Sequence, residues 1–334
     1  MLKNMTHDSM HSNNKKDDQL TALAKVSRLV ADTGDLSAIE QFKPTDATTN
    51  PSLLLKAAQD PQYNHLIDQL IQDCPKQITS PEHQATYLCD QLAIMIGKHI
   101  LEKIEGRVST EVDAMLSFDT NATVNKARQL IQGYRQNNAD TERVLIKIAG
   151  TWEGLEAARI LSAEGIHCNV TLIFNLLQAA KAAEANVYLI SPFIGRILDW
   201  HKKHRDFNSA NPMDDPGVQS VHQIYHYLKQ HDKKTLVMGA SFRNIGEIQA
   251  LAGCDALTIS PALLTELTNS NDPLPTILPN PEHPTQAPLE LSETAFRWAL
   301  NQDPAASFLL NQGIRQFHND YLALKKLILE KCLK

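Results

Sequence analysis

The stretch Val144-Leu145-Ile146-Lys147-Ile148-Ala149-Gly150 decides the fold. It is short, apolar and rich in β-branched residues, and it ends at a glycine. That pattern reads as a buried strand of a parallel sheet. Side chains alternate along a strand. Val144, Ile146 and Ile148 therefore share one face, and Leu145, Lys147 and Ala149 share the other. A charged amine thus points the same way as small apolar neighbours. Burying an ammonium is costly, so such a lysine either pairs with an acid or gives up its proton more readily. A lysine of the second kind is a nucleophile that can form a Schiff base with a carbonyl. The alternative is an edge-strand lysine that faces solvent.

The chain has 334 residues, 43% of them apolar, which is enough for one large barrel or two ordinary domains. A net charge of -6 argues against a nucleic-acid partner, which would call for basic clusters. Five cysteines (Cys74, Cys89, Cys168, Cys254 and Cys332) are scattered without a Cys-x-x-Cys pair. Such a set fits reduced thiols in a cytoplasm better than a disulfide framework or a zinc site. No apolar run approaches the ~18 residues of a membrane span, and the N-terminus lacks the apolar centre of a signal peptide. The expectation is a soluble cytoplasmic protein with no membrane partner.

Residues Met1 to Asp18 are polar and read as a disordered leader, with Met5 and Met10 as alternative starts. From there to the C-terminus a single catalytic domain is expected. Strand-like runs alternate with amphipathic helical ones, the mark of a parallel α/β fold. Eight strand candidates stand out: Ser27 to Asp32, Ala47 to Asn50, Val108 to Ala114, Val144 to Ala149, Cys168 to Phe174, Val187 to Ser191, Thr235 to Ala240 and Ala256 to Ser260. Helices are expected over Tyr63 to Asp73, Glu82 to Ile104, Ala122 to Gln136, Glu153 to Ala163, Leu176 to Ala183, Val218 to Gln230 and Ile245 to Leu251. Eight strands with helical crossovers predict a (β/α)8 TIM barrel. The competing architecture is an open doubly wound sheet, weakened by the lack of a Gly-x-Gly-x-x-Gly fingerprint. Ser270 to Pro288 carries six prolines and reads as a rigid surface loop. Additional C-terminal helices, Leu289 to Asn301 and Ala305 to Leu333, are expected to pack across one barrel mouth or to serve an oligomer contact.

In such a barrel, reactive side chains collect at the C-terminal ends of the strands. Here the first strand ends on Asp32-Thr33-Gly34-Asp35 and the second on Thr48-Thr49-Asn50-Pro51-Ser52. The third places Glu111 and Asp113 on one face, and the fifth does the same for Asn169 and Thr171. The sixth ends Ser191-Pro192-Phe193, followed by Gly195-Arg196, and the seventh ends Gly239-Ala240-Ser241-Phe242-Arg243-Asn244. Each residue has an ordinary reading. Asp32 or Asp35 can cap a helix, Asn50 can shape a turn before Pro51, and Thr171 is a good strand former. Glu111 can face solvent or pair with an arginine, and Arg196 and Arg243 can be surface charges. The argument rests on the set, because all of them fall on one rim. His222 and His226 have a metal-compatible spacing on a helix but no third ligand in a recognisable motif, so a solvated face is expected. His201-Lys202-Lys203-His204 reads as an exposed charge run.

Taken together, the stretches around Asp32, Asn50, Glu111 and Lys147 resemble the transaldolases, a branch of the class I Schiff-base aldolases. So do Ser191-Pro192-Phe193-Ile194-Gly195-Arg196-Ile197-Leu198-Asp199-Trp200 and Gly239-Ala240-Ser241-Phe242-Arg243-Asn244. The resemblance runs from about Leu20 to the C-terminus, and the length matches the long bacterial and eukaryotic type. It implies transfer of a dihydroxyacetone unit between sugar phosphates, from sedoheptulose 7-phosphate to glyceraldehyde 3-phosphate, in the non-oxidative pentose phosphate pathway. It also implies a homodimer and the absence of a metal or organic cofactor. Carried over by position, Lys147 forms the Schiff base and Asp32 takes the C4 hydroxyl proton. Glu111, Thr171 and a water move protons around the carbinolamine. Asn50, Asn169 and Ser191 hold the dihydroxyacetone hydroxyls, and Arg196, Ser241 and Arg243 bind phosphate. Phe193 stands where aldolase-like relatives are expected to carry tyrosine, and its lack of a phenol favours transfer over release of dihydroxyacetone. Gly150 stands where the family usually has serine, a change expected to loosen a local contact. Two other readings remain: a Schiff-base aldolase that releases dihydroxyacetone, and an inactive barrel that binds sugar phosphates.

Overall fold

The run around Lys147 forms the strand Val144–Ala149, and all six of its residues are buried. A strand buried on both faces needs helices outside and side chains inside. The computed structural model, which describes residues 17–274, 278 and 287–333, supplies both. Its strands are β1 (Arg28–Asp32), β2 (Asp46–Thr48), β3 (Val108–Glu111), β4 (Val144–Ala149), β5 (Cys168–Ile173), β6 (Leu189–Pro192), β7 (Leu236–Gly239) and β8 (Ala256–Ile259). They pair in parallel in chain order and close, β8 returning to β1. The (β/α)8 barrel expected from the sequence is the fold, and the open sheet is excluded.

Helix α1 (Gln19–Ala24) precedes the barrel, and α2 (Leu36–Phe42) follows β1. Three helices follow β2: α3 (Pro51–Gln59), α4 (Asn64–Gln72) and α5 (Pro81–Leu101). After β3, β4 and β5 come α6 (Thr120–Gln136), α7 (Trp152–Ala163) and α8 (Leu176–Glu184). Helices α9 (Ile194–His204) and α10 (Pro216–Gln230) follow β6, α11 (Ile245–Ala250) follows β7 and α12 (Pro261–Thr268) follows β8. The chain ends with α13 (Glu293–Gln302) and α14 (Pro304–Cys332).

Several strands stop earlier than their apolar runs because the next residues cap a helix. Asn50 accepts the Leu53 N–H at 3.0 Å and opens α3 at Pro51, so β2 ends at Thr48. Asp113 accepts the Met115 N–H at 2.9 Å and opens a 3-10 turn over Ala114–Phe118. It therefore does not share the inner face with Glu111, contrary to the alternation argument. Helices α1, α2, α3, α9 and α12 were not expected. Most are short, and their opening residues were read as strand ends. Residues 1–16 of the expected leader lie outside the described residues, but Asp18 caps α1 and Asp17 pairs with Lys25. Most of the proline-rich stretch also lies outside them; within it, Leu278 is buried and its N–H donates to Ala252 O at 2.5 Å.

The barrel interior is layered. Arg28 and Asp46 pair near the N-terminal end, 3.3 Å apart. Val30, Leu189, Met238 and Ala256 form an apolar layer above them. The polar side chains sit above that, toward the strand C-termini. Helix α14 packs on α3, α5 and α9 and brings Phe317 over this end. Of the C-terminal helices, α14 covers a barrel mouth, while α13 packs on α14, α7 and α8.

The position of β3 is set from outside by a wedge. Tyr134 of α6 is fully buried, and its hydroxyl lies 2.5 Å from Thr110 Oγ1 on β3. Gly97 of α5 makes the room, since a Cβ there would stand 1.8 Å from the Tyr134 Oη. Gly97→Ala is expected to cost about 1–3 kcal/mol by overpacking. Urea denaturation measures this, and an unchanged midpoint would show that the wedge has slack.

Candidate active site

Strand register brings the charged residues together. Glu111 on β3 is paired with Lys147 on β4, and Lys147 with Asn169 on β5. The three therefore lie in one row across adjacent strands. Asp32 on β1 pairs in the same way with Thr48 on β2. Asp32, Asn50, Lys147, Thr171, Ser191, Phe193, Arg196 and Ser241 line one cavity of about 120 Å³ at the C-terminal mouth. Glu111 and Asn169 adjoin it through their contacts with Lys147 and Ser191.

The Lys147 amine is 3.1 Å from Glu111 Oε2 and donates to the Thr49 carbonyl at 3.3 Å. Both side chains are almost wholly buried, at 5% and 4% exposure. The acid that a buried lysine calls for is thus Glu111. Asp32 accepts from Thr48 Oγ1 at 3.1 Å, and Thr48 in turn lies 3.0 Å from Thr258 Oγ1. Ser191 donates to Asn169 Oδ1 at 2.7 Å, and Asn169 donates to Ser109 Oγ at 3.1 Å. The Thr171 hydroxyl is buried and has no hydrogen-bond partner among the described residues. It sits at an irregularity in β5, where the register with β6 shifts between Val170 and Ile173. Leu172 there has φ 56°, a left-handed backbone for a bulky residue.

Burial is the main cause of every charge perturbation in the cavity. It pushes the carboxyls of Asp32 and Glu111 up, against the pull of Lys147 and Arg196. It pushes Arg196 down, helped by the like charge of Arg243. Arg196 stacks its guanidinium near Phe193 and Phe317, 5.0 and 5.5 Å from the ring centres.

Arg243 lies outside the small cavity. With Arg196 it lines a neighbouring groove of about 310 Å³ between α9 and α14. Its guanidinium holds Asp199 at 3.0 and 2.8 Å and the Ser241 carbonyl at 3.0 Å. The Arg243 N–H is taken by Glu247 and the Glu247 N–H by Asn244.

A model of the transaldolase/fructose-6-phosphate aldolase family matches residues 29–328. The chain belongs to this family. It is 55% identical over 314 residues to a transaldolase of Alteromonas mediterranea, across 94% of this chain and 98% of that one. Transaldolases of Cellvibrio japonicus and Mannheimia succiniciproducens are 53% and 51% identical over 93% and 94% of the chain, each across at least 98% of its own length.

Gly150, after the lysine strand, is held on both sides. Its N–H donates to Thr171 O at 2.8 Å, and its carbonyl accepts from the buried Gln178 at 2.7 Å. A Cβ there would stand 2.8 Å from Ile173 Cδ1, so the space is filled. Sequence reasoning missed Phe317, Ser109 and the Thr48–Thr258 pair. Phe317 comes from a helix far along the chain and carries no local signal. Strand alternation pointed Thr48 and Ser109 inward. His222 bonds the Ala250 carbonyl at 3.0 Å, and no cluster among the described residues could hold a metal. His204, within the expected charge run, stacks on Trp200 at 4.8 Å. No helix among the described residues is long and apolar enough to cross a membrane.

The raised Asp32 carboxyl has a consequence for stability. A group whose folded-state pKa lies above its unfolded value stabilises the fold at low pH, and that contribution is lost as pH rises through the raised value. Asp32→Asn removes the cost of burying the ionised form. Its melting temperature should exceed that of the unsubstituted protein at pH 8, with the gain shrinking toward pH ~4, the unfolded carboxyl value. A constant difference across this range would mean that the Asp32 carboxyl is not perturbed.

Proposed function

We propose that the protein is a transaldolase that moves a dihydroxyacetone unit through a Schiff base on Lys147. The observation that carries this reading is the buried Lys147–Glu111 pair at 3.1 Å, with Asp32 lining the same cavity. The donor is sedoheptulose 7-phosphate and the acceptor glyceraldehyde 3-phosphate. The products are erythrose 4-phosphate and fructose 6-phosphate, which assigns the reaction to the non-oxidative pentose phosphate pathway.

The Lys147 amine attacks the ketose C2 carbonyl and forms a carbinolamine. Glu111, next to the amine, and the unpartnered Thr171 hydroxyl move the protons that let water leave. The iminium that results is an electron sink. Asp32 takes the proton of the C4 hydroxyl, the C3–C4 bond breaks, and the aldose leaves with a new carbonyl. The bonding electrons remain on the three-carbon unit as an enamine. Asn50, Asn169 and Ser191 hold its hydroxyls, the last two exchanging their mutual hydrogen bond for bonds to substrate. The enamine carbon then attacks the acceptor aldehyde, and hydrolysis frees the new ketose and the lysine. Phe193 offers no acidic hydrogen to the enamine, which supports transfer over release. Arg196, Ser241 and Arg243 meet the phosphate, where arginine forks suit the dianion.

The test is a mixture of the two substrates followed by product analysis. Erythrose 4-phosphate and fructose 6-phosphate should form in equal amounts, with no free dihydroxyacetone. Release of dihydroxyacetone without an acceptor would make the protein an aldolase instead. Lys147→Ala should abolish transfer, and Asp32→Asn should lower kcat by about 10²–10⁴-fold, as expected for loss of a general base. Near-normal turnover in either variant would remove that residue from the mechanism.

A further inference from the structure

Behind the loop that follows β7 stands a carboxylate with no part in the steps above. Glu247, on the first turn of α11, is 1% exposed. Its Oε2 accepts the Arg243 N–H at 2.7 Å, and its Oε1 accepts from Asn244 Nδ2 at 3.3 Å. Asn244 Oδ1 returns the bond by accepting the Glu247 N–H at 3.1 Å. One side chain thus holds two consecutive residues of the loop. The loop needs holding, because Ser241 sits at φ 64° and a non-glycine residue there is strained. The Ser241 carbonyl is gripped on its other side by the Gly195 N–H at 3.1 Å.

A second buried acid, Asp215, faces Glu247. It caps α10 by accepting the Gly217 N–H at 2.7 Å, and it is 5% exposed. The charged groups around the pair are Arg243, Asp199 of α9 and Lys202 of α9. Two buried carboxylates side by side do not both ionise cheaply. Burial pushes the Glu247 carboxyl up to about 7, with the negative Asp215 adding to the rise. The arrangement asks Glu247 above all for an acceptor toward the Arg243 N–H, the shorter of its two bonds. It does not ask for a full charge.

We propose that Glu247 is a positioning residue for phosphate recognition, which fixes the backbone of Arg243 so that its guanidinium and Ser241 face the substrate phosphate. This rests on the reading of Arg196, Ser241 and Arg243 as the phosphate site. Glu247 touches no substrate. Glutamine keeps an acceptor for the Arg243 N–H, whereas alanine and methionine supply none.

The experiment compares Glu247→Gln, Glu247→Ala and Glu247→Met, each checked for folding by circular dichroism. Methionine keeps the bulk should the alanine variant not fold. The donors are fructose 6-phosphate and unphosphorylated fructose, with Arg243→Ala measured alongside. The alanine or methionine variant should raise KM for fructose 6-phosphate about tenfold with kcat changed less than about twofold, a loss of binding shared by ground and transition states. Its kcat/KM on fructose should not change, and Glu247→Gln should stay within about twofold of the unsubstituted KM. Equal losses on both donors, an unchanged KM, or a glutamine variant as impaired as methionine would each overturn the proposal. An unchanged KM in Arg243→Ala would instead remove the phosphate site itself, and the proposal with it.

Discussion

The site depends on one ion pair held out of water. Lys147 and Glu111 sit 3.1 Å apart with about a twentieth of each side chain exposed. Taking two charges from water costs several kcal/mol per ion, and their attraction offsets this only with good geometry and further hydrogen bonds. The barrel provides close approach of the charges and one further hydrogen bond, on the amine. Parallel register fixes Glu111 opposite Lys147, and the Thr49 carbonyl at the end of β2 accepts a second amine hydrogen. Removing either partner would leave a buried charge alone, at a cost of about 3–5 kcal/mol. A pair of this kind is a poor device for stability, because well-packed apolar residues would do as well. Its value lies in keeping an amine and a proton carrier together where water is scarce.

The remaining structure separates that costly region from the parts that stabilise the fold. An apolar layer of Val30, Leu189, Met238 and Ala256 lies below the polar row, and apolar residues of the surrounding helices join outward-facing strand residues in a large core. Two of the seven non-glycine residues with left-handed backbones among the described residues lie near the cavity. Leu172 and Ser241 both have left-handed backbones, and each is clasped by hydrogen bonds from a buried side chain or a neighbouring loop. Gln178 does this behind Thr171, bonding the Gly150 and Leu172 carbonyls at 2.7 and 3.1 Å. Glu247 does it behind Arg243. Sequence position alone suggests neither residue, since both lie in the first turns of helices on the outer layer.

How much was legible from the sequence follows from which forces are local. The strand of Lys147 was readable because alternation and burial act over six residues. The barrel was readable because eight such runs recur with helical spacers. The inward direction of Asp32, Glu111, Asn169 and Thr171 followed from the same period of two. Where two local signals competed, the reading failed. Asp113 had the spacing of an inward strand residue but also the chemistry of a cap, and capping the Met115 N–H prevailed. Asn50 combines both, since it caps α3 and lines the cavity. Phe317 and Asp320, whose carboxylate meets Ser52, reach the mouth from α14 and leave no trace near the residues they touch. Family resemblance supplied the site residues as a set, and the structure shows that they converge, with Arg243 set apart in the adjoining groove.

The central claim is that Lys147 carries the three-carbon unit covalently. Borohydride reduction in the presence of fructose 6-phosphate, followed by peptide mass mapping, tests it most directly. The account predicts a reduced three-carbon adduct on the peptide that contains Lys147, and on no other lysine. A folded protein that gives no adduct, or one at a different lysine, would contradict it and leave the chain a member of its family by fold alone.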